Sequence, residues 1–169
     1  MLQRVIAVAV VAIIAGISAP KAEASPQLVP YAAEYPSGTI VVSTTQRRLY
    51  LVLGNGSAMS YPVGVGKQGK QWAGATHIDG KYRNPAWSPP AEVKRDNPRL
   101  PDIIPGGSPR NPMGVAAMTL AGGQYAIHGT NVPNSIGGYV SYGCIRMYNA
   151  DISDLYERVG VGTRVVVAR

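Results

Sequence analysis

The stretch Ala116-Ala-Met-Thr-Leu-Ala-Gly-Gly-Gln-Tyr-Ala-Ile-His128 holds two short apolar runs either side of Ala121-Gly122-Gly123, a hairpin signal, and so places His128 at the end of a strand. Working outward, the same two-residue period governs most of the chain. Thr39 to Thr45 and Arg48 to Leu53 are rich in β-branched and apolar residues, and Asn55-Gly56 is a tight-turn signal before Ala58 to Val65, which together predict a β-meander. Arg164 to Ala168 predicts a closing strand. One helix is predicted late: Asn149 can cap it, Asp151 and Asp154 suit its positive first turn, and Ile152, Leu155, Tyr156 and Val159 recur at helical spacing before Gly160 stops it. The segment from Gly66 to Asn111 is dominated by Gly, Pro, Asn and charge and is too long for a bare connection, so short strands and a substrate-covering loop are expected there. The fold class is mainly β, in one domain with no internal repeat.

Composition agrees. Of 169 residues 46% are hydrophobic and only 15% charged, too apolar for a disordered chain and enough for a compact core. Twenty Gly and 14 Pro make turns frequent and long helices unfavourable. One Cys excludes an intrachain disulfide, and with His77 and His128 it leaves too few soft ligands for a structural zinc site, so no metal and no cofactor are expected.

The N-terminus carries an export signal. Met1 to Arg4 is a short basic start, Val5 to Ile17 is an apolar run, and Ala22-Glu23-Ala24 is a small-x-small cleavage site ahead of Ser25. Such a run makes roughly 20 Å of helix, short of the ~20 residues that cross a bilayer core, so residues 1–24 are expected to be a signal peptide, with no stable membrane insertion once it is cleaved. Residues 25–37 form a Pro-rich lead, and residues 38–169 form the domain. The formal net charge is +7, but Arg47, Arg48, Lys67, Lys70, Lys81, Arg83, Lys94 and Arg95 are scattered rather than clustered. An exported basic protein of this kind meets anionic envelope polymers rather than nucleic acid. The expected location is the periplasm or cell envelope. An unpaired thiol kept in an oxidising compartment needs deep burial or a chemical use, which makes Cys144 the residue to explain.

From position 127 the chain reads Ile-His-Gly-Thr-Asn, then turns, then Ser-Tyr-Gly-Cys-Ile-Arg-Met from 141 to 147. A thiol attacks as thiolate, and an imidazole beside it can take the proton and later return it to a leaving amine. His128 and Cys144 are the natural pair, because the loop between them lets two strand ends lie side by side. Gly143 permits tight backbone geometry, so that the amides of residues 143 and 144 can point at a developing oxyanion. On composition alone the alternatives weigh about as much: Cys144 as a small buried hydrophobe, His128 as a satisfied strand-end histidine.

These residues resemble the L,D-transpeptidase family, whose signature is a His-Gly pair followed by Ser-His-Gly-Cys and an Arg or Asn two residues on. His128, Gly129, Thr130, Asn131, Ser141, Gly143, Cys144 and Arg146 fall on that pattern, and Ser-Ile-Gly at 135–137 fills the loop in the family's way. Weaker features agree: Gln46 with Leu49-Tyr50, Tyr61-Pro62-Val63, Gly66, Trp87 with Pro89-Pro90, and Asn111-Pro112-Met113-Gly114. The resemblance covers residues 38 to 168. Tyr142 departs from the usual His, and Ala75-Thr76-His77-Ile78 replaces the commoner Thr-Pro-x-Gly.

The resemblance implies a β-sandwich of mixed sheets with a short helix packed against it, and a peptidoglycan acyltransferase working through a thioester on Cys144. It implies His128 as base and then acid, with the Gly129 carbonyl orienting its imidazole. Ser141, Tyr142 and Gly143 would shape the nucleophile loop and the oxyanion site. Arg146 would brace that loop or meet a stem-peptide carboxylate, and Tyr61, Trp87 and Asn131 would contact substrate, with Trp72 a further aromatic candidate; core packing is the competing role for the aromatic residues. The expected partners are peptidoglycan stem peptides and, as an alternative acyl acceptor, a lipoprotein amine; hydrolysis of the thioester is the other alternative, and a wall-binding module without catalysis a further one. A monomer is expected.

Overall fold

The computed structural model describes residues 26–32 and 34–169, so the expected signal peptide lies outside the described residues. Eleven strands run in chain order: β1 (Gln27–Pro30), β2 (Ile40–Ser43), β3 (Arg48–Val52), β4 (Ser57–Pro62), β5 (Val65–Gly66), β6 (Gly74–Arg83), β7 (Ala116–Leu120), β8 (Ala126–His128), β9 (Tyr139–Ser141), β10 (Ile145–Arg146) and β11 (Arg164–Ala168). Among the described residues two α-helices accompany them, α1 (Ala91–Asp96) between β6 and β7 and α2 (Asn149–Arg158) before β11, with a single 3-10 turn at Pro133–Ser135. Nine strands join in the order β1-β4-β3-β2-β11-β6-β7-β8-β10, and β5 pairs with β9 apart from them.

The sheet is mixed because the chain's last strand is inserted near its middle. β11 runs parallel to β2, pairing Val165 with Ile40, and antiparallel to β6, pairing Val165 with Thr76. β6 belongs to both halves of the sheet: Gly74 to His77 face β11, while Ile78 to Arg83 face β7, with a register shift between Ile78 and Gly80. A bulge at that point bends a strand and lets one sheet turn into a second layer. The halves share one core. Ile40, Val42, Leu49 and Leu51 from the first, Met118, Ile127 and Ile145 from the second, and Ile152 and Leu155 from α2 are all buried within it. Each such aliphatic side chain contributes about 1.5–3 kcal/mol by leaving water.

The meander, the 121–123 hairpin, α2 and β11 lie where the spacing predicts them. The Pro-rich lead also enters the sheet, since β1 pairs with β4 at the edge. The Gly66–Asn111 segment holds more structure than expected, namely the ten-residue β6 and the short α1. β6 buries only Ile78 and Gly80, so it carries no alternating apolar signal, and α1 buries no residue at all. Asn149 is not the cap of α2: Tyr148 precedes the helix, and the Asn149 amide oxygen instead accepts the Thr130 N–H at 3.0 Å. That bond ties the start of α2 to the chain just past β8.

Candidate active site

β8 and β10 form a short parallel pair in which Ile145 stands opposite Ile127 and Arg146 opposite His128. Strand side chains alternate, so Ile127, Ile145 and Met147 enter the core while His128, Cys144 and Arg146 turn to the other face. There they line one cleft of about 310 Å³, together with Trp87, Tyr142 and Ser141 of the expected set and with Tyr125 and Met113.

His128 is buried and its Nδ1 lies 2.6 Å from the Gly129 carbonyl oxygen. A carbonyl only accepts, so Nδ1 carries the proton and Nε2 is left with the lone pair a base requires. Burial pulls the imidazole down to about 4, and the Arg146 cation adds to this, while the carbonyls of Gly129 and Pro112 act in the opposite sense. The free ring is neutral at pH 7. Cys144 is half-buried, and its thiol donates to the Gln124 carbonyl at 3.9 Å. Burial raises its pKa, opposed by the Ala126 amide and by Arg146. The resting pair is therefore thiol and imidazole rather than thiolate and imidazolium.

The loop that carries Cys144 is held by hydrogen bonds that no spacing announces. Ser141 Oγ donates to the Cys144 carbonyl at 2.6 Å and accepts the Gly143 N–H at 3.1 Å, which fits a loop-structuring hydroxyl. That second bond turns the Gly143 amide into the loop, a correction to its expected place at an oxyanion. Gly143 has φ +123°, and a Cβ there would run into the Tyr125 ring. Tyr125 in turn stacks on Trp72, with centroids 5.1 Å apart, and the Trp72 indole donates to the Gly143 carbonyl at 2.9 Å. Trp72 is thus a post behind the loop.

Tyr142 bridges the cleft to α1. Its hydroxyl donates to Asp96 Oδ2 at 2.6 Å, and Lys67 Nζ sits 3.7 Å from its ring centroid and 3.8 Å from the same carboxylate. The Tyr142 hydroxyl, followed by the Arg95, Lys67 and Lys70 cations, holds Asp96 below the usual carboxylate range. Lys70 pairs with Glu92, a further polar contact that fastens α1.

Two expected substrate contacts lie elsewhere. Tyr61 is fully buried in the core, its hydroxyl donating to Asp154 at 2.7 Å, because the ring is needed to fill the space beneath α2. Asn131 is exposed beside a neighbouring cavity and donates to the Pro109 carbonyl at 3.2 Å. Tyr125, the Gln124 carbonyl and the Ala126 amide were missed by sequence reasoning. A backbone group leaves no mark on the sequence, and Tyr125 reads as an ordinary strand aromatic.

The L,D-transpeptidase catalytic domain family model matches residues 37–167. The chain belongs to this family. It is 40% identical over 136 residues to the probable L,D-transpeptidase YbiS of Escherichia coli strain K12, covering 76% of this chain and 43% of the relative. To the putative L,D-transpeptidase YkuD of Bacillus subtilis it is 37% identical over 141 residues, covering 83% of this chain and 70% of the relative. The chain thus spans less than half the length of YbiS and over two thirds that of YkuD. Among solved structures, an L,D-transpeptidase from Mycobacterium smegmatis superposes with a TM-score of 0.62 at 17% identity, over 78% of this chain and 58% of that one, a likeness of fold. Among the described residues of this family member, no helix is long and apolar enough to cross a membrane, and no cluster of His, Cys, Asp or Glu has a metal site's make-up.

Proposed function

We propose that this domain is a cysteine L,D-transpeptidase of the cell envelope. The observation that carries the reading is one cleft shared by Cys144 and a His128 whose Nδ1 is committed to the Gly129 carbonyl. His128 Nε2 takes the thiol proton as Cys144 Sγ attacks the carbonyl of the third residue of a tetrapeptide stem. The C–S bond forms, the C–N bond to the terminal D-Ala breaks, and the imidazolium returns the proton to the departing amine. The thioester then passes to the side-chain amine of another stem, giving a 3-3 cross-link. Water or a lipoprotein amine are the alternative acceptors of the same thioester.

In this reading Gly129 orients the imidazole, Ser141 and Gly143 shape the nucleophile loop, and Trp87 and Tyr142 contact the donor. Arg146 braces the loop or meets a stem carboxylate. The export signal at residues 1–24 supports action outside the cytosol, with the domain a monomer on stem peptides. The test is mass spectrometry of disaccharide-tetrapeptide incubated with residues 25–169. Loss of D-Ala together with a dimer mass supports transpeptidation; loss of D-Ala without dimer assigns hydrolysis. An unchanged substrate refutes the proposal.

A further inference from the structure

Arg146 is a cation without a counter-ion. It is half-buried on the wall of the cleft, beside His128 across the β8/β10 pair and two residues from Cys144 on the same face. Its Nε is sealed from solvent and has no hydrogen-bond partner. The acidic side chain in the cleft lining, Glu92 of α1, is taken by Lys70 and, at 3.5 Å, by Arg95. Asp96 is held by Tyr142 and Lys67. No ion pair involving Arg146 forms among the described residues. The Nε is out of reach from the cleft, but the guanidinium lines it, and an anion that enters offsets the charge of this half-buried cation.

We infer that Arg146 receives the terminal carboxylate of the acyl donor and is the residue that measures donor length. The inference rests on the transpeptidase reading. When Cys144 meets the third carbonyl of a tetrapeptide, the D-Ala carboxylate lies one residue further on, at most about 3.6 Å along the chain. A group two residues along the strand from the nucleophile, on the same face, is placed to meet it. A pentapeptide carries its carboxylate one residue too far, and a C-terminal amide presents no anion. A planar guanidinium suits a carboxylate because it can donate two parallel N–H bonds.

Occupancy has a second consequence. The Arg146 cation disfavours imidazolium on His128, and a carboxylate bound to Arg146 offsets that charge. The same offset removes the support that the Arg146 cation gives to a Cys144 thiolate, so the two effects on the proton transfer oppose each other and the role of Arg146 is to seat the donor. A donor without the carboxylate loses that contact, and with it affinity and the positioning of its third carbonyl at Cys144.

The test compares single-turnover acylation of the full exported domain by disaccharide-tetrapeptide, its C-terminal amide and the pentapeptide, read by intact mass. The wild-type domain is expected to be acylated by the free tetrapeptide roughly 10- to 100-fold more efficiently than by the other two donors. In Arg146→Gln the preference should collapse to within about threefold, while Arg146→Lys keeps part of it. The melting temperature and the near-ultraviolet dichroism of the Trp72–Tyr125 pair report whether the variants keep their fold. A variant that has lost its fold is replaced by Arg146→Lys, whose preference must then fall measurably below that of wild type. Preference retained in Arg146→Gln, or absent from the wild-type domain, overturns the inference. No acylation by any stem peptide would refute the transpeptidase reading and this one with it.

Discussion

Gly143→Ala is expected to damage the domain well beyond the size of one methyl group. Residue 143 sits at φ +123°, where an L side chain costs about 1–3 kcal/mol. The new Cβ would also lie 2.8 Å from Tyr125 Cδ1 and 2.9 Å from its Cζ, so the ring must move. Tyr125 cannot yield alone. Its stacking on Trp72 is worth about 0.5–1.5 kcal/mol, and the Trp72 indole bond to the Gly143 carbonyl a further ~1 kcal/mol. The combined cost is about 2.5–5.5 kcal/mol, which in a domain of this size lowers the melting temperature by on the order of 10 °C. Thermal melts followed by near-ultraviolet dichroism report on the Trp72–Tyr125 pair directly. In Tyr125→Ala, Gly143→Ala should cost less by the steric share, about 1–2 kcal/mol, leaving the backbone share in place. A Gly143→Ala protein within ~0.5 kcal/mol of wild type, or equal costs in the two backgrounds, would refute this account of the nucleophile loop.

Acid stability should follow His128. Its pKa is about 4 folded against 6.5 in an unfolded chain, so the unfolded state binds the proton at higher pH; the stability of the neutral ring is complete above pH 6.5 and is lost as pH falls toward 4, by about 3 kcal/mol. Urea titrations at pH 7 and pH 4 should show that slope in the wild-type domain and a flatter one in His128→Gln. His128→Ala should lower D-Ala release by on the order of 10²–10⁴, whereas Tyr142→Phe, which removes only the hydroxyl on Asp96, should cost about tenfold or less. An equal loss in both would mean that position 142 carries the proton. Carbapenems should add covalently to Cys144, with intact mass showing the adduct in wild type and none in Cys144→Ser. Tyr61→Phe should cost about 1 kcal/mol in a thermal melt and leave carbapenem acylation untouched, since Asp154 keeps its bonds to Arg158 at 2.8 and 2.9 Å.

The meander, the hairpin ahead of His128, α2 and β11 were legible because each buries one face against the core, and burial imposes a period of two or of 3.6 on the residues themselves. That His128 and Cys144 share one cleft was legible for a chemical reason: a lone thiol has few uses, and the residues around it keep a recognisable order. Where neither burial nor chemistry constrains a residue type, the sequence is silent. β6 spans the bend between two sheet halves and buries only Ile78 and Gly80, so its ten residues look like loop. α1 is fastened by Lys70, Lys67 and Tyr142 from distant parts of the chain and leaves no apolar stripe. Tertiary structure alone decided which aromatics do what: Tyr61 fills the core, Trp72 and Tyr125 brace the loop, and Trp87 reaches the cleft. A tyrosine or tryptophan supplies the same apolar face and polar tip in each role, and only long-range packing determines which end meets water, backbone or substrate.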